Sequence, residues 1–225
     1  MKIIWALYDD GNMSWYNCGY DKDKYRIISI GINNHPELKD YHKIDLRLSN
    51  FDLIKQLSKL PTPDIIVASP PCESWSIADN QQRLFREING YENINTIKFF
   101  TQHKINKNNQ EMTKNRKRDY YKQFRSMLIG FDTAIATGYI INYFNPKVWI
   151  IENPQTSKIW DYLKLTSIYD GFKNIAHYNS YNENFSKKPT CFLSNLKLNL
   201  KAENKKSNIR WECVSGYDRR SSIPK

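Results

Sequence analysis

The sequence predicts an α/β protein with a mostly parallel sheet, and two short apolar segments are the main indication. Residues 65–68 (IIVA) and 148–151 (VWII) are continuous apolar runs that are rich in β-branched side chains. Such runs are typical of central parallel strands that are covered on both faces. A helical segment precedes each of them, over residues 49–60 and 119–144, and this alternation favours an α/β fold.

The first half of the chain predicts three further strands, over residues 2–8, 25–32 and 41–46. A turn at residues 9–12 follows the first strand, and a helix is expected from Met13, with Trp15 and Tyr16 near its start. The helix at 49–60 is predicted because apolar residues recur there at helical spacing: Leu53, Ile54, Leu57 and Leu60. Ser49 or Asn50 is its expected cap, and Pro61 and Pro63 end it.

The long helix at 119–144 carries a stripe that is expected to face the core: Phe124, Leu128, Phe131, Ile135, Tyr139 and Ile140. A short helix over 156–163, a strand over 171–178 and a hairpin-like return with a strand over 190–194 follow. Residues 80–118 form a basic insert, interpreted as a lobe over the preceding cysteine or as a solvated insertion. No repeat or linker divides the chain, which predicts a single domain over 1–225 with a short tail at 197–225.

The formal charge of +11 and the pI of about 9.4 favour a polyanionic partner, most plausibly nucleic acid. The alternative is a general lysine bias, since Asn, Ile and Tyr are also abundant. No apolar run approaches ~18 residues, so no membrane span is expected. The four cysteines are scattered without a CxxC pair, which favours a reducing cytoplasm and predicts no metal site.

Two strand ends carry the residues with chemical potential. The apolar strand at 65–68 runs into Pro70-Pro71-Cys72, and the strand at 147–151 runs into Glu152-Asn153-Pro154. Because parallel strands end at one edge of a sheet, a thiol and a carboxyl group are expected on the same rim. For Cys72 alone, a buried structural cysteine in a stiff loop is the competing interpretation.

In that order, the PPC and ENP tripeptides resemble the catalytic pair of the DNA (cytosine-5) methyltransferase family. The likeness is closest to compact, phage-like members with a reduced or absent target-recognition domain, and it covers most of the chain. Further matching segments are Ser76, Arg125 to Ile135, Lys188-Pro189-Thr190 with Ser194-Asn195, and RSSIP at Arg220 to Pro224.

The resemblance implies a Rossmann-like, S-adenosylmethionine-dependent fold. Its sheet would have seven mostly parallel strands, one of them antiparallel, with helices on both faces. It also implies that Cys72 attacks C6 of a flipped cytosine while Glu152 donates a proton to N3, with Pro71 and Asn153 completing the catalytic set. Methyl transfer to C5 of cytosine in double-stranded DNA is the implied activity.

By the same resemblance, eight residues are expected to bind S-adenosylmethionine: Tyr8, Asp9, Gly11, Asn12, Met13, Asn33, Asp45 and Pro70. Seven are expected to contact the DNA: Ser76, Arg116, Lys117, Arg118, Lys187, Lys188 and Thr190. The sequence departs from the family pattern at three places. Asp10 and Asn12 stand on glycine positions, Gly31 stands where an acid is usual, and residues 179–188 lack the arginine that Lys187 or Lys188 would replace.

Two other functions compete with the active enzyme. One is a nucleic-acid-binding protein that has lost cofactor binding, and the other is a related enzyme that acts on RNA or uses a modified cofactor. For the enzyme we expect low or short-sequence specificity, because only about twenty-five residues separate Asn195 from Arg220. A monomer in the cytoplasm of a bacterium, or one encoded by a phage, is the expected setting.

Overall fold

The computed structural model describes residues 1–9, 14–35, 37–75, 120–166, 170–205, 212–213 and 220–221. The predicted turn at 9–12, apart from Asp9, and the predicted insert at 80–118 lie outside these residues. The same holds for the roles expected of Gly11, Asn12, Met13, Ser76, Arg116, Lys117 and Arg118.

Within the described residues, seven strands form one sheet: β1 (Lys2–Leu7), β2 (Tyr25–Gly31), β3 (Tyr41–Lys43), β4 (Ile65–Ala68), β5 (Val148–Pro154), β6 (Phe172–His177) and β7 (Pro189–Ser194). Two short strands, β8 (Glu212–Cys213) and β9 (Arg220–Ser221), pair with each other. The α-helices are α1 (Leu53–Leu57), α2 (Tyr120–Phe144) and α3 (Ile159–Tyr162). Short 3₁₀ turns span Glu73–Trp75, Leu163–Thr166 and Tyr178–Ser180.

The strand order is β3-β2-β1-β4-β5-β7-β6, and every pairing is parallel except those of β7, which runs antiparallel to both β5 and β6. A mixed α/β fold with a mostly parallel seven-stranded sheet is therefore confirmed, and it is consistent with a Rossmann-like architecture. After β1, the chain forms β2 and β3 on one side of β1 and then forms β4 on the opposite side of β1. This reversal between β1 and β4 is the place where open α/β sheets form a ligand crevice.

Side chains alternate across the strands and supply two hydrophobic clusters. On one face Trp5, Leu7 and Ile66 join residues of all three helices. On the other face Ala6, Ile27 and Val67 are packed against by three aromatic residues of the following segment: Trp15, Tyr16 and Tyr20. The described helices thus cover one face, and the expectation of helices on both faces is met on that face only.

The helix expected from Met13 is not found where the structure describes the chain, because residues 14–18 form turns and a bend. The aromatic side chains there cover the sheet without helical spacing: Tyr16 and Tyr20 pack edge to face at 5.8 Å between ring centroids. The prediction is corrected on this point, since aromatic burial against the sheet replaces the helix.

The core stripe predicted for α2 is partly wrong. Leu128 is 50 % exposed and Tyr139 is 44 % exposed, whereas Ile140 is fully buried. Besides Ile140, the side chains that are buried in this helix are mostly smaller and lie one or two positions from the predicted stripe: Met127, Thr133, Ala134, Ala136, Thr137 and Ile141. Small residues let a helix approach a sheet closely, so the bulky residues are displaced to its flanks.

Helix α1 is shorter than the predicted 49–60. The N–H and hydroxyl of Ser49 both donate to the carboxylate of Asp132 on α2, at 3.0 and 2.5 Å. Asn50 accepts from the Asp52 N–H at 3.2 Å instead of continuing the helix. These local bonds compete with helical ones, so the first turn is not formed. Among the described residues, no helix has the length and apolarity needed to cross a membrane.

Candidate active site

A cleft of about 600 Å³ opens at the carboxyl ends of the strands, where the strand order reverses. One end is lined by residues that follow β1: Leu7, Tyr8, Asp9, Ser14, Trp15 and Cys18. The other end is lined by residues around β4, β5 and β7: Ser69, Glu152, Tyr178, Lys188 and Phe192. The volume lies within the roughly 300–1,000 Å³ that is usual for small-molecule sites.

The thiol loop continues directly from β4. Register pairs Ala68 with Ile151, so Pro70 and Asn153 emerge together at the same edge. Cys72 begins a short 3₁₀ turn in which its carbonyl accepts from the Trp75 N–H at 3.0 Å. Trp75 is buried against two aromatic rings, those of Phe131 and Tyr162, at centroid distances of 5.5 and 4.7 Å. The exposed cysteine is therefore carried by a turn that is anchored in the core.

Asn153 joins the two strand ends. Its Nδ2 donates to the Pro70 carbonyl at 2.9 Å, across 83 residues of sequence, and its side chain is only 1 % exposed. A second bond, from the Lys158 N–H to the Trp75 carbonyl at 3.1 Å, fixes the other end of the thiol turn. The side-chain amide of Asn153 in the ENP segment thus holds the PPC segment through a buried hydrogen bond.

Glu152 is half-buried on β5, opposite Phe192 of β7. Desolvation raises the pKa of its carboxyl group, while the Lys188 charge and a hydrogen bond from the Ser69 hydroxyl act in the opposite direction. A raised pKa favours the protonated acid, which is the form that can donate a proton.

The Cys72 thiol also has a raised pKa, first through desolvation and then through the negative charge of Glu152, whereas Lys188 lowers it. The side chain remains accessible despite this desolvation. The negative charge of Glu152 thus disfavours the Cys72 thiolate, as is expected of two acidic groups at neighbouring strand ends.

The two adjacent lysines of the β6–β7 connection point to different places. The Lys187 ammonium donates to Asn204 of the tail at 2.6 Å, while the Lys188 ammonium lies 5.1 Å from the centroid of the Tyr178 ring and lines the cleft. Thr190 is fully buried on β7, and its hydroxyl donates to the Lys188 carbonyl at 3.1 Å. In this structure Thr190 supports the lysine turn instead of facing a ligand.

At the other end of the cleft, Tyr8 leaves β1 with a left-handed backbone (φ 64°). Its hydroxyl donates to the Thr133 carbonyl at 2.8 Å and accepts from the Thr137 hydroxyl at 2.9 Å. Burial raises the pKa of this phenol far above its usual range, so it stays protonated. Tyr8 thereby fixes the start of the turn against α2 and presents the flank of its ring to the cleft.

Asp9 is 8 % exposed and lies under the edge of β2. Its N–H donates to the Ile30 carbonyl at 3.1 Å, and its carbonyl accepts from the Tyr41 hydroxyl at 3.2 Å. A Cβ at Gly31 would lie 1.9 Å from that carbonyl oxygen. A side chain at position 31 would thus collide with the backbone of Asp9, so the acid that the resemblance predicts there has no space.

The remaining predicted cofactor residues lie away from the cleft lining. The Asp45 carboxylate forms a bidentate ion pair with Arg47, with the Arg47 Nε at 2.9 and 3.0 Å from its two oxygens. That ion pair lowers the pKa of Asp45. Asn33 is exposed in the bend after β2. Pro70 is buried, and its contribution to the site is the carbonyl that accepts from Asn153.

Several lining residues were missed by sequence reasoning: Ser14, Trp15, Cys18, Ser69, Tyr178 and Phe192. Ser69 follows β4 directly, so its place at the strand end was an available signal. Trp15 and Cys18 could not be placed, because the segment that carries them was expected to be helical.

No protein-family model matches the chain, and no curated protein matches it. The fold and the site define the class: a mixed α/β protein with a carboxyl group and an ammonium group, those of Glu152 and Lys188, lining a cleft at the strand-order reversal. Cys72 lies on the turn after β4 and is not among the residues that line this cleft.

Replacing Asn153 with alanine should loosen the clamp between the two strand ends. The loss of a buried bond leaves the Pro70 carbonyl unsatisfied, at a cost of about 1–3 kcal/mol in the free energy of unfolding. Chemical denaturation of both proteins measures this, and Asn34→Ala, at an exposed position, is the control. Equal unfolding free energies for Asn153→Ala and the wild type would show that the clamp contributes nothing.

Proposed function

We propose that this protein transfers a methyl group from S-adenosylmethionine to C5 of cytosine in DNA, through a covalent bond between Cys72 and C6 of a flipped base. The observation that supports this most directly is the Asn153–Pro70 hydrogen bond at 2.9 Å. It joins the thiol segment to the carboxyl segment beside one cleft, the arrangement that the chemistry requires.

Cytosine C5 is a poor nucleophile until another group adds to C6. The Cys72 thiolate would form the sulfur–C6 bond, and the electron pair displaced from the ring would be neutralised by a proton from Glu152 to N3. The resulting enamine carries electron density at C5, which would accept the methyl group of S-adenosylmethionine, with S-adenosylhomocysteine as the leaving group. Return of the N3 proton to Glu152, loss of the C5 proton to a base that the described residues do not identify, and departure of the Cys72 thiolate would restore the aromatic ring.

The part of the cleft near β1 has side chains of the character that an adenosyl ligand needs. It combines the aromatic rings of Tyr8 and Trp15 with the polar groups of Asp9 and Ser14. When bound, S-adenosylmethionine supplies an electrophilic methyl group. Tyr8, held by its two hydroxyl bonds to α2, would orient the ligand.

DNA as the substrate is favoured by the net charge of +11. The direct test is incubation of the protein with labelled S-adenosylmethionine and unmodified duplex DNA, followed by digestion to nucleosides. Label in 5-methylcytosine is the expected result. Label in RNA only, under matched conditions, would replace DNA by RNA as the substrate, and absence of label in both would overturn the proposal.

The second candidate is a nucleic-acid-binding protein that no longer binds the cofactor. Two observations favour it: the Asp9 backbone fills the space beside Gly31, and the Asp45 carboxylate is paired with Arg47. Calorimetric titration with S-adenosylmethionine separates the candidates, since saturable binding supports the enzyme and its absence supports the binding protein.

The proposed chemistry predicts a bell-shaped dependence of kcat/KM on pH. Reaction needs a thiolate and a protonated Glu152, which together hold one proton. Two forms hold one proton: the thiol with the carboxylate, and the thiolate with the carboxylic acid. The second form is the reactive one, and it is the less populated because a thiol ordinarily has the higher pKa. Its population peaks at a pH between the two pKa values of the pair. Glu152→Gln should lower the rate and leave one limb, rising with pH to the thiol pKa. Glu73→Gln, beside the thiol, is the control and should keep the bell, and a bell-shaped Glu152→Gln profile would contradict the assignment.

A further inference from the structure

We propose that Lys188 is the counter-ion of the Cys72–Glu152 pair: its ammonium group balances the one negative charge that the thiol and the carboxyl group share. This inference rests on the proposed function, because it assigns Lys188 a role in the reaction of Cys72 and Glu152. Lys188 acts through the two groups and is thus a positioning residue for the reaction.

The backbone at Lys188 is built to aim its side chain. Its φ of 25° lies in the left-handed region, which a lysine adopts rarely. Two hydrogen bonds hold this turn, from the Tyr178 N–H to the Lys187 carbonyl at 3.1 Å and from the Thr190 hydroxyl to the Lys188 carbonyl at 3.1 Å. Strained backbone that is held by its surroundings is a pointer to function.

This turn separates two neighbouring lysines. The Lys187 ammonium reaches the exposed Asn204, whereas the Lys188 ammonium sits over the Tyr178 ring at 5.1 Å and lines the same cleft as Glu152. A ring face attracts a cation and fixes its position without neutralising its charge. The full charge of Lys188 is therefore available to the acidic groups of the cleft.

Among the described residues, the charge of Lys188 opposes the negative charges around the Cys72–Glu152 pair. Glu73, next to the thiol, adds to the negative potential, whereas Lys188 is a cation that acts on both Cys72 and Glu152. Cys191 of β7, which pairs with Asn153 of β5, is buried, and burial raises the pKa of its thiol to about 11, so it contributes no charge near neutral pH. In the part of the chain that the structure describes, the other charges that act on a Cys72 thiolate, those of Glu152 and Glu73, are negative.

Alkylation of the free protein tests the role directly. The Cys72 thiolate attacks the carbon of iodoacetamide and iodide leaves, so the rate reports the thiolate fraction. The modified peptide that contains Cys72 is quantified by mass spectrometry across a pH series. For Lys188→Met we expect the midpoint to rise by about one pH unit and the rate at pH 7.5 to fall roughly tenfold.

Charge is separated from structure by three further variants. Lys188→Arg keeps the positive charge, and its alkylation rate should be within about twofold of the wild-type rate. Lys187→Met removes a positive charge at the neighbouring position, and it should change the alkylation rate of Cys72 by less than about twofold. Glu152→Gln removes the anion and should increase the rate several-fold at neutral pH. If Lys188→Met does not melt cooperatively, Lys188→Gln replaces it.

A Lys188→Met profile that superimposes on the wild type would overturn the proposal, as would an equal shift in Lys187→Met. The reaction needs neither cofactor nor DNA. A protein that transfers no methyl group can therefore still show the Lys188 effect, and an active enzyme can lack it, so the two proposals fail separately.

Discussion

Cys72→Ser should abolish methyl transfer, lowering the rate by on the order of a thousandfold or more. A serine hydroxyl is not ionised near neutral pH, so it cannot add to C6, and no covalent bond forms. The fold should be unaffected, because Cys72 is exposed and the turn that carries it is anchored by Trp75. The measurement is transfer of labelled methyl groups to duplex DNA at saturating cofactor.

The control is the same substitution at Cys213, on the short strand β8, for which the sequence predicts no chemistry. Cys213→Ser should retain the wild-type rate, and Cys72→Ser should still bind S-adenosylmethionine in a calorimeter. Residual transfer by Cys72→Ser above about one tenth of the wild-type rate would show that another group is the nucleophile.

The sequence predicted β1, β2 and β4 well because each is a short apolar run bounded by turn residues. Strand β4 ends at Ala68, before Pro70, as predicted. Strand β5 continues through Glu152 to Pro154, three residues beyond the predicted end, and β3 stops at Lys43 instead of 46. The parallel pairing of β4 and β5 still places the thiol and carboxyl segments together. The thiol–carboxyl site could be predicted for the same reason, since neighbouring parallel strands must end at one edge of the sheet.

Features that depend on packing between distant segments could not be predicted. The turns at 14–18 and the exposure of Leu128 follow from how aromatic rings and a helix fit the sheet, not from local periodicity. The choice between Lys187 and Lys188 depends on a left-handed turn that two tertiary hydrogen bonds hold. From the sequence, Gly31 is only a departure from the family pattern, because its close approach to the Asp9 carbonyl depends on the pairing of β1 with β2.

Gly31→Ala should destabilise the protein and disturb the cleft at once. The new Cβ would lie 1.9 Å from the Asp9 carbonyl oxygen and 2.5 Å from the Tyr41 hydroxyl, which is too close for any heavy-atom contact. The Asp9 backbone is held by its bond to Ile30, so it must break that bond or push β1 from β2. We expect a loss of about 1–3 kcal/mol, which for a chain of this length lowers Tm by roughly 2–4 °C per kcal/mol.

Ser29→Ala is the matched control, because it leaves the same residue type, alanine, on the same strand without introducing a new Cβ. The Ser29 side chain is fully buried, and its hydroxyl has no hydrogen-bond partner in the described part of the chain. Removing it should be neutral or slightly stabilising. If Gly31→Ala has the wild-type Tm and binds S-adenosylmethionine as the wild type does, the Asp9 backbone can move away without cost, and the prediction is wrong. Destabilisation together with weakened S-adenosylmethionine binding would instead tie the glycine to the ligand end of the cleft, since Asp9 lines it.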